Sequence, residues 1–134
     1  MGIVATIAAT VIGRKMELPA ELVWGYPELS EARWRHGGVL VRIAGWFLGQ
    51  RSVAAVTLWR TVWIAPGVAL SRELLLHELR HVHQFQASAT FPMRYLWETL
   101  RRGYFRNRFE VDARNYAAQR IEQTFASVAS KLNG

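Results

Sequence analysis

From Ser71 to Ala89 the apolar positions repeat with a helical period, and Leu74, Leu75, His77, Glu78, His81, Val82 and Phe85 fall within one half of the turn. Ser71 is a good N-cap, Glu73 lies in the first turn where the dipole favours an anion, and neither Gly nor Pro interrupts the run. The pattern predicts a helix that turns two histidines and a glutamate inward. Val53 to Ala65 has strand character instead. It is rich in Val, Thr, Trp and Ile, its even positions are apolar apart from Arg60, Trp59 and Trp63 share the other face, and Pro66-Gly67 closes it. Either one bent strand or a hairpin turning near Trp59-Arg60 fits this pattern.

The flanking segments carry weaker signals. Ile3 to Ile12 has no polar face and predicts a buried strand or a short buried helix, ended by Gly13-Arg14-Lys15. Residues 16 to 30 contain Pro19, Gly25 and Pro27 and predict an irregular connection, with Glu17, Glu21 and Glu28 as solvated acids. Ser30 is placed to cap a short helix that Gly37-Gly38 stops, after which Val39 to Leu48 forms an apolar segment carrying Arg42. Pro92 suits a first helical turn, so Met93 to Arg102 predicts a helix ending at Gly103. Asn107 caps a last long helix running to about Lys131. Together these elements predict an α+β fold, a small antiparallel sheet packed on about three helices, in one domain covering residues 1–134.

Composition narrows the chemistry. The chain has no cysteine, so thiolate metal sites, disulfides and cysteine nucleophiles are excluded, and any metal must be held by His, Asp or Glu. The net charge of +7 comes chiefly from arginine and is accompanied by six tryptophans, a mixture suited to weak contact with an anionic membrane surface. Solvated arginine faces account for the same charge, and no specific nucleic-acid partner is expected. Ile3 to Ile12 is too short to span a bilayer and lacks a basic leader, so the expectation is a cytoplasmic chain, at most peripheral to a membrane.

The inward His77, Glu78 and His81 of that helix belong to the run His77-Glu78-Leu79-Arg80-His81, an HExxH arrangement. Histidines four apart differ by about 40° around a helix and about 6 Å along it, so both can ligate one ion. Glu78 projects beside them, where it can take a proton from water. A third ligand is found by elimination. His83 lies about 160° from His81 around the helix; no histidine follows it, and His36 remains open only from an upstream segment.

Among the downstream acids, Glu110 shares a face with Ala117, Ala118, Ile121, Phe125 and Val128, the face that must pack inward. Asp112 falls about 200° away, predicting a side chain that points outward or to a neighbouring loop, and Glu122 about 120° away and three turns along. Glu98, among arginines, is more simply an ion-pair partner. An ordinary i,i+4 pair with Arg114 is the alternative role for Glu110. Ala113 and Ala117 beside Glu110 would let its helix approach the motif helix closely. Tyr95, Tyr104 and Tyr116 are candidates by residue type for stabilising an oxyanion.

The pairing of HELRHVHQFQ with NRFEVDARNYA resembles the gluzincin zinc metallopeptidases, and in particular small gluzincin-like domains of bacteria, over about residues 53 to 120. The resemblance implies one Zn²⁺ held by His77, His81 and Glu110, with Glu78 as general base. It also implies a peptide or protein substrate lying along the strand at 58 to 65. Gln84, Asn107, Tyr104 and Tyr116 are then candidates for contacts behind the ligands or with substrate. Larger gluzincins often carry an aspartate four residues after the ligand glutamate to orient a histidine; here that residue is Arg114. The expected function is a zinc-dependent metallopeptidase or related amide hydrolase. A catalytically silent zinc-stabilised binding module, or a basic Arg/Trp-rich protein of membrane or nucleic-acid surfaces, fits the same residues.

Overall fold

The computed structural model describes residues 2–47 and 54–134. Leu48 and Val53, the ends of two expected segments, lie outside the described residues. Helix α1 (Ile3–Ile12) leads through strand β1 (Arg14–Lys15) and helix α2 (Ala20–Gly25) to a 3₁₀ segment (Pro27–Glu31). Strand β2 (Arg33–His36), helix α3 (Val39–Phe47) and the strands β3 (Ala55–Leu58) and β4 (Thr61–Ile64) follow. Helices α4 (Arg72–Ala87), α5 (Phe91–Arg102) and α6 (Arg108–Leu132) complete the chain. The fold is α+β, as expected. Its sheet has the order β1-β2-β4-β3 and is mixed, because β2 pairs parallel with β4 while the other two pairs are antiparallel.

The expected strand region is a hairpin, with Trp59 and Arg60 forming the turn. Trp59 supplies the left-handed backbone (φ 51°) that glycine usually provides, and its ring rests against Phe85 with centroids 5.9 Å apart. A largely exposed aromatic thus takes the position where a Gly or Asn turn signal is absent. Strand β4 lies between β2 and β3, so among the described residues the edge strand beside α4 is β3, not the strand at 58 to 65.

Three amino-terminal expectations are corrected. The segment after Ser30 is strand β2, not a helix, since pairing with β4 satisfies its backbone while Trp34 is buried and its indole N–H donates to the Leu29 carbonyl (2.8 Å). Residues 16 to 30 are not wholly irregular, and Glu28 is not a solvated acid; it pairs with Arg120 and ties the 3₁₀ segment to α6. Helix α1 is exposed rather than buried along Ile3, Val4, Ile7 and Val11. Its last carbonyl, that of Ile12, accepts from the Trp63 indole (2.7 Å) and Arg35 Nε (2.8 Å), which closes the helix end. Gly13 then turns with φ 75°, where an added Cβ would meet the His36 and Gly37 carbonyl oxygens at 2.8 and 2.9 Å.

The core lies where the sheet meets α4 and α6. Leu75, Leu76, Leu79 and Val82 of α4 are fully buried with Leu29, Val62 and Ile64, each contributing about 1.5–3 kcal/mol relative to exposure. Ala113 and Ala117 are buried between α4 and α6, and these small side chains allow the close approach that the sequence predicted.

Candidate metal centre

The Ser71 hydroxyl caps α4 by accepting from the Leu74 amide (3.1 Å), and the Asn107 carboxamide caps α6 by accepting from the Phe109 amide (2.9 Å). Each cap fixes the start of a helix that brings one part of the site. His77 and His81 come from α4, Glu110 from the first turn of α6. His77 Nε2 lies 2.9 Å from Glu110 Oε2, His81 Nε2 lies 3.2 Å from Glu110 Oε1, and the two Nε2 atoms are 3.2 Å apart. A tetrahedral zinc site with bonds of about 2.0–2.1 Å separates its donors by about 3.3 Å. The observed separations are close to that. Among the described residues this is the one group of three side chains able to hold an ion.

Glu110 provides the more pointed observation. Its Oε1 accepts from the Tyr95 hydroxyl (2.6 Å), whereas Oε2 is buried, close to His77 and aligned with no hydrogen-bond donor. A buried carboxylate oxygen with no aligned donor, 2.9 Å from the His77 nitrogen, is costly unless a cation or proton lies between them. The donor set therefore fits a metal ion. Arg114 takes no part; it donates to the Phe105 carbonyl rather than pairing with Glu110.

Hydrogen bonds behind the ligands set the histidine tautomer. Gln84 Nε2 donates to the Phe109 carbonyl (3.0 Å) and to Asp112 (2.9 Å), so Gln84 Oε1 must be the acceptor facing His81 Nδ1 at 2.7 Å. His81 consequently carries hydrogen on Nδ1, so Nε2 is the nitrogen that would meet an ion once its own proton is displaced. Gln84 fills the orienting role left open by Arg114. Asp112 is half-exposed, as its angle implies, but it turns to α4 rather than to a loop, accepting from Arg80 (2.7 Å) as well as from Gln84. Burial alone would raise its carboxyl, but the hydrogen bonds from Arg80 and Gln84 outweigh that and lower it.

Ionisation follows the same contacts. Burial would raise the Glu110 carboxyl, yet the adjacent His77 and His81 rings and the Tyr95 hydroxyl hold it well below the usual carboxylate range. Burial would lower His81, but the Glu110 and Glu78 carboxylates outweigh it and push the ring up to about 9. Tyr95 is raised by burial and by the Glu110 charge, so its hydroxyl remains a donor. Tyr104 is raised for the same two reasons.

Beside the cluster a cavity of about 370 Å³ is walled mainly by apolar side chains, among them Leu40, Val56, Leu58, Phe91 and Leu96. Glu78, His81, Tyr95, Tyr104 and Glu110 reach it. Glu78 is buried, and its Oε2 accepts from the Thr57 hydroxyl on β3 (2.7 Å). That contact holds the carboxylate at the sheet edge.

The remaining candidates are dispersed. Asn107 is wholly buried but donates to the Tyr95 carbonyl (3.1 Å) and Thr99 Oγ1 (2.9 Å), so it joins α5 to α6 instead of lining the cavity. Tyr116 lies on the far side of α4, against His83 and under Arg80. His83 pairs with Glu31 (2.9 Å) and His36 is exposed on β2, so neither joins the cluster. Glu98 pairs with Arg102 and Arg108 as expected, although it is itself buried.

Sequence reasoning missed Thr57 and the contact of Asp112. No local signal marks Thr57. Arg80 and Gln84, four apart on α4, were a legible pair of donors in want of an acid. No family model matches the chain, and no curated protein or solved structure matches it.

Proposed function

We propose that this protein is a zinc-dependent metallopeptidase or related amide hydrolase. The observation that carries the reading is the Glu110 carboxylate, whose Oε2 lacks an aligned donor beside His77 Nε2 and whose Oε1 faces His81 Nε2, next to a general-base candidate in an apolar cavity. His77, His81 and Glu110 would hold the ion. Bound zinc supplies a Lewis acid that polarises a carbonyl and lowers the pKa of water to roughly 7.

The chain's own groups account for the rest. Glu78, fixed through one oxygen by Thr57, keeps Oε1 to accept a proton from water and return it to the leaving amine. Gln84 keeps the His81 ring in its ligating tautomer. The Tyr104 hydroxyl, kept protonated by burial, is available to donate to oxyanion charge developing in the cavity. Tyr95 is committed to Glu110 and orients that carboxylate. Strand β3, the edge strand among the described residues, is where an extended peptide would lie.

Among the described residues no helix is long and apolar enough to cross a membrane. A cytoplasmic location belongs to the same reading, since a site of His and Glu needs no oxidising compartment.

The test is hydrolysis of unfolded polypeptide by the zinc-loaded protein. Glu78→Gln should retain the metal and abolish turnover. Turnover unchanged by that substitution would refute the mechanism, and a metal-loaded but inert wild type would favour a silent zinc-stabilised module.

A further inference from the structure

The two faces of α5 have different surroundings. Phe91, Tyr95, Glu98 and Thr99 point toward the core, the cavity or α6. Met93, Leu96, Trp97 and Leu100 repeat at i, i+3, i+4 and i+7 on the outside, and Met93, Trp97 and Leu100 are 71%, 62% and 74% exposed. Phe105, just past the helix, is equally open. A surface helix ordinarily turns polar residues to water, so a continuous apolar stripe there marks a surface that something covers.

The charges around the stripe identify what covers it. Arg94 and Arg101 flank it on the helix and Arg106 follows just beyond, all exposed. The only acid on α5, Glu98, is buried and already paired with Arg102 and Arg108. The stripe also reaches the cavity, since Pro92 and Leu96 line one wall while the half-exposed Ile43 of α3 lines the other. Tryptophan and leucine flanked by arginine is the composition of a helix that lies in a bilayer interface.

We propose that the outer face of α5 seats the domain on an anionic lipid bilayer, with Trp97 and Leu100 at the boundary between headgroups and acyl chains and the cavity mouth turned toward the lipid. A second copy is a poorer occupant. Two stripes packed about a two-fold axis would bring like-charged arginines together, whereas lipid phosphates neutralise them. Each arginine at an anionic surface strengthens binding about fivefold. The inference stands on α5 and does not depend on the hydrolase reading.

Flotation with vesicles of phosphatidylcholine, alone or mixed with phosphatidylglycerol, tests it. The protein should bind the mixed vesicles, at least about tenfold more tightly than phosphatidylcholine alone, and less tightly as salt is raised. Joint substitution Trp97→Ser and Leu100→Ser should weaken binding about tenfold or more. Joint substitution Arg101→Gln and Arg106→Gln should weaken it about twentyfold.

Because the chain has no cysteine, Leu100→Cys carries a polarity-sensitive label at one place, with Gln123→Cys on α6 as the control. The label should shift to the blue on mixed vesicles at position 100 and not at 123. Failure to bind the mixed vesicles, binding untouched in both double variants, or equal shifts at both labels would overturn the proposal. A concentration-dependent dimer lost in the Trp97/Leu100 variant, without vesicle binding, would assign the face to a second copy.

Discussion

His81 and His83 stand two residues apart on α4 and face two different regions. Toward α5 and α6, His81 is buried, hydrogen-bonded through Nδ1 to Gln84, and faces His77 and the Glu110 carboxylate through Nε2. Toward the 3₁₀ segment, His83 is partly exposed and pairs with Glu31, itself half exposed. The residue type is the same, so the difference comes from what stands opposite. On one side a second helix brings an acid whose second oxygen has no donor; on the other, a solvated acid satisfies the ring with a single contact. A metal-site reading therefore rests on how the polar atoms of this site are left, and not on histidine content.

The comparison can be broken by removing the acid. Glu110→Gln should lower zinc affinity more than about a hundredfold in a competition titration with a chromogenic chelator, exceeding the effect of changing any group behind the ligands. Affinity preserved in that variant would place the metal elsewhere. Next in size is the helix contact that brings the acid into place. Ala113→Leu overfills the α4/α6 seam and should cost about 1–3 kcal/mol in urea unfolding. A neutral result would mean that the seam is looser than Ala113 and Ala117 indicate.

Gln84→Leu sharpens the contrast further. It removes the acceptor that fixes the His81 tautomer and should weaken zinc binding about 10–100-fold. His83→Gln should leave zinc binding unchanged and alter stability by less than about 1 kcal/mol, because its pair is largely solvated.

Protonation separates the two regions without mutation. In the metal-free protein the folded value of His81 is raised from 6.5 to about 9, so its contribution to stability is complete below about pH 6.5 and is lost as pH rises through about 9. Glu110 is shifted the opposite way, so its contribution is present above its ordinary value of 4.5 and is lost as pH falls through the lowered one. Both shifts arise from one interaction and are not additive. Zinc would displace the His81 proton, so affinity should rise with pH toward about 9, with proton release measurable by calorimetry in buffers of different ionisation enthalpy.

What could be read from the sequence follows the range of the forces involved. Helix α4, its Ser71 cap, the Asn107 cap and the inward face of Glu110 depend on neighbours three or four residues away, and the residue pattern displays them. Strand β2 depends on a parallel partner at Thr61–Ile64, so Arg33–His36 gave no local sign of it. The choice between a bent strand and a hairpin stays open in the sequence because Trp59, not Gly or Asn, takes the left-handed position of the turn. Asp112 is half-exposed, as its angle from Glu110 implies, but that angle does not disclose its partners on α4. It lies about 100° from Ala113, on the flank of a seam narrow enough for Arg80 and Gln84 to reach across.

The central claim, that one ion is held jointly by α4 and α6, is tested most directly by elemental analysis of the purified wild type beside His77→Ala. The account predicts one zinc per wild-type chain and almost none in the variant. Wild type free of bound metal after zinc loading, or a variant that keeps its full complement, would contradict it.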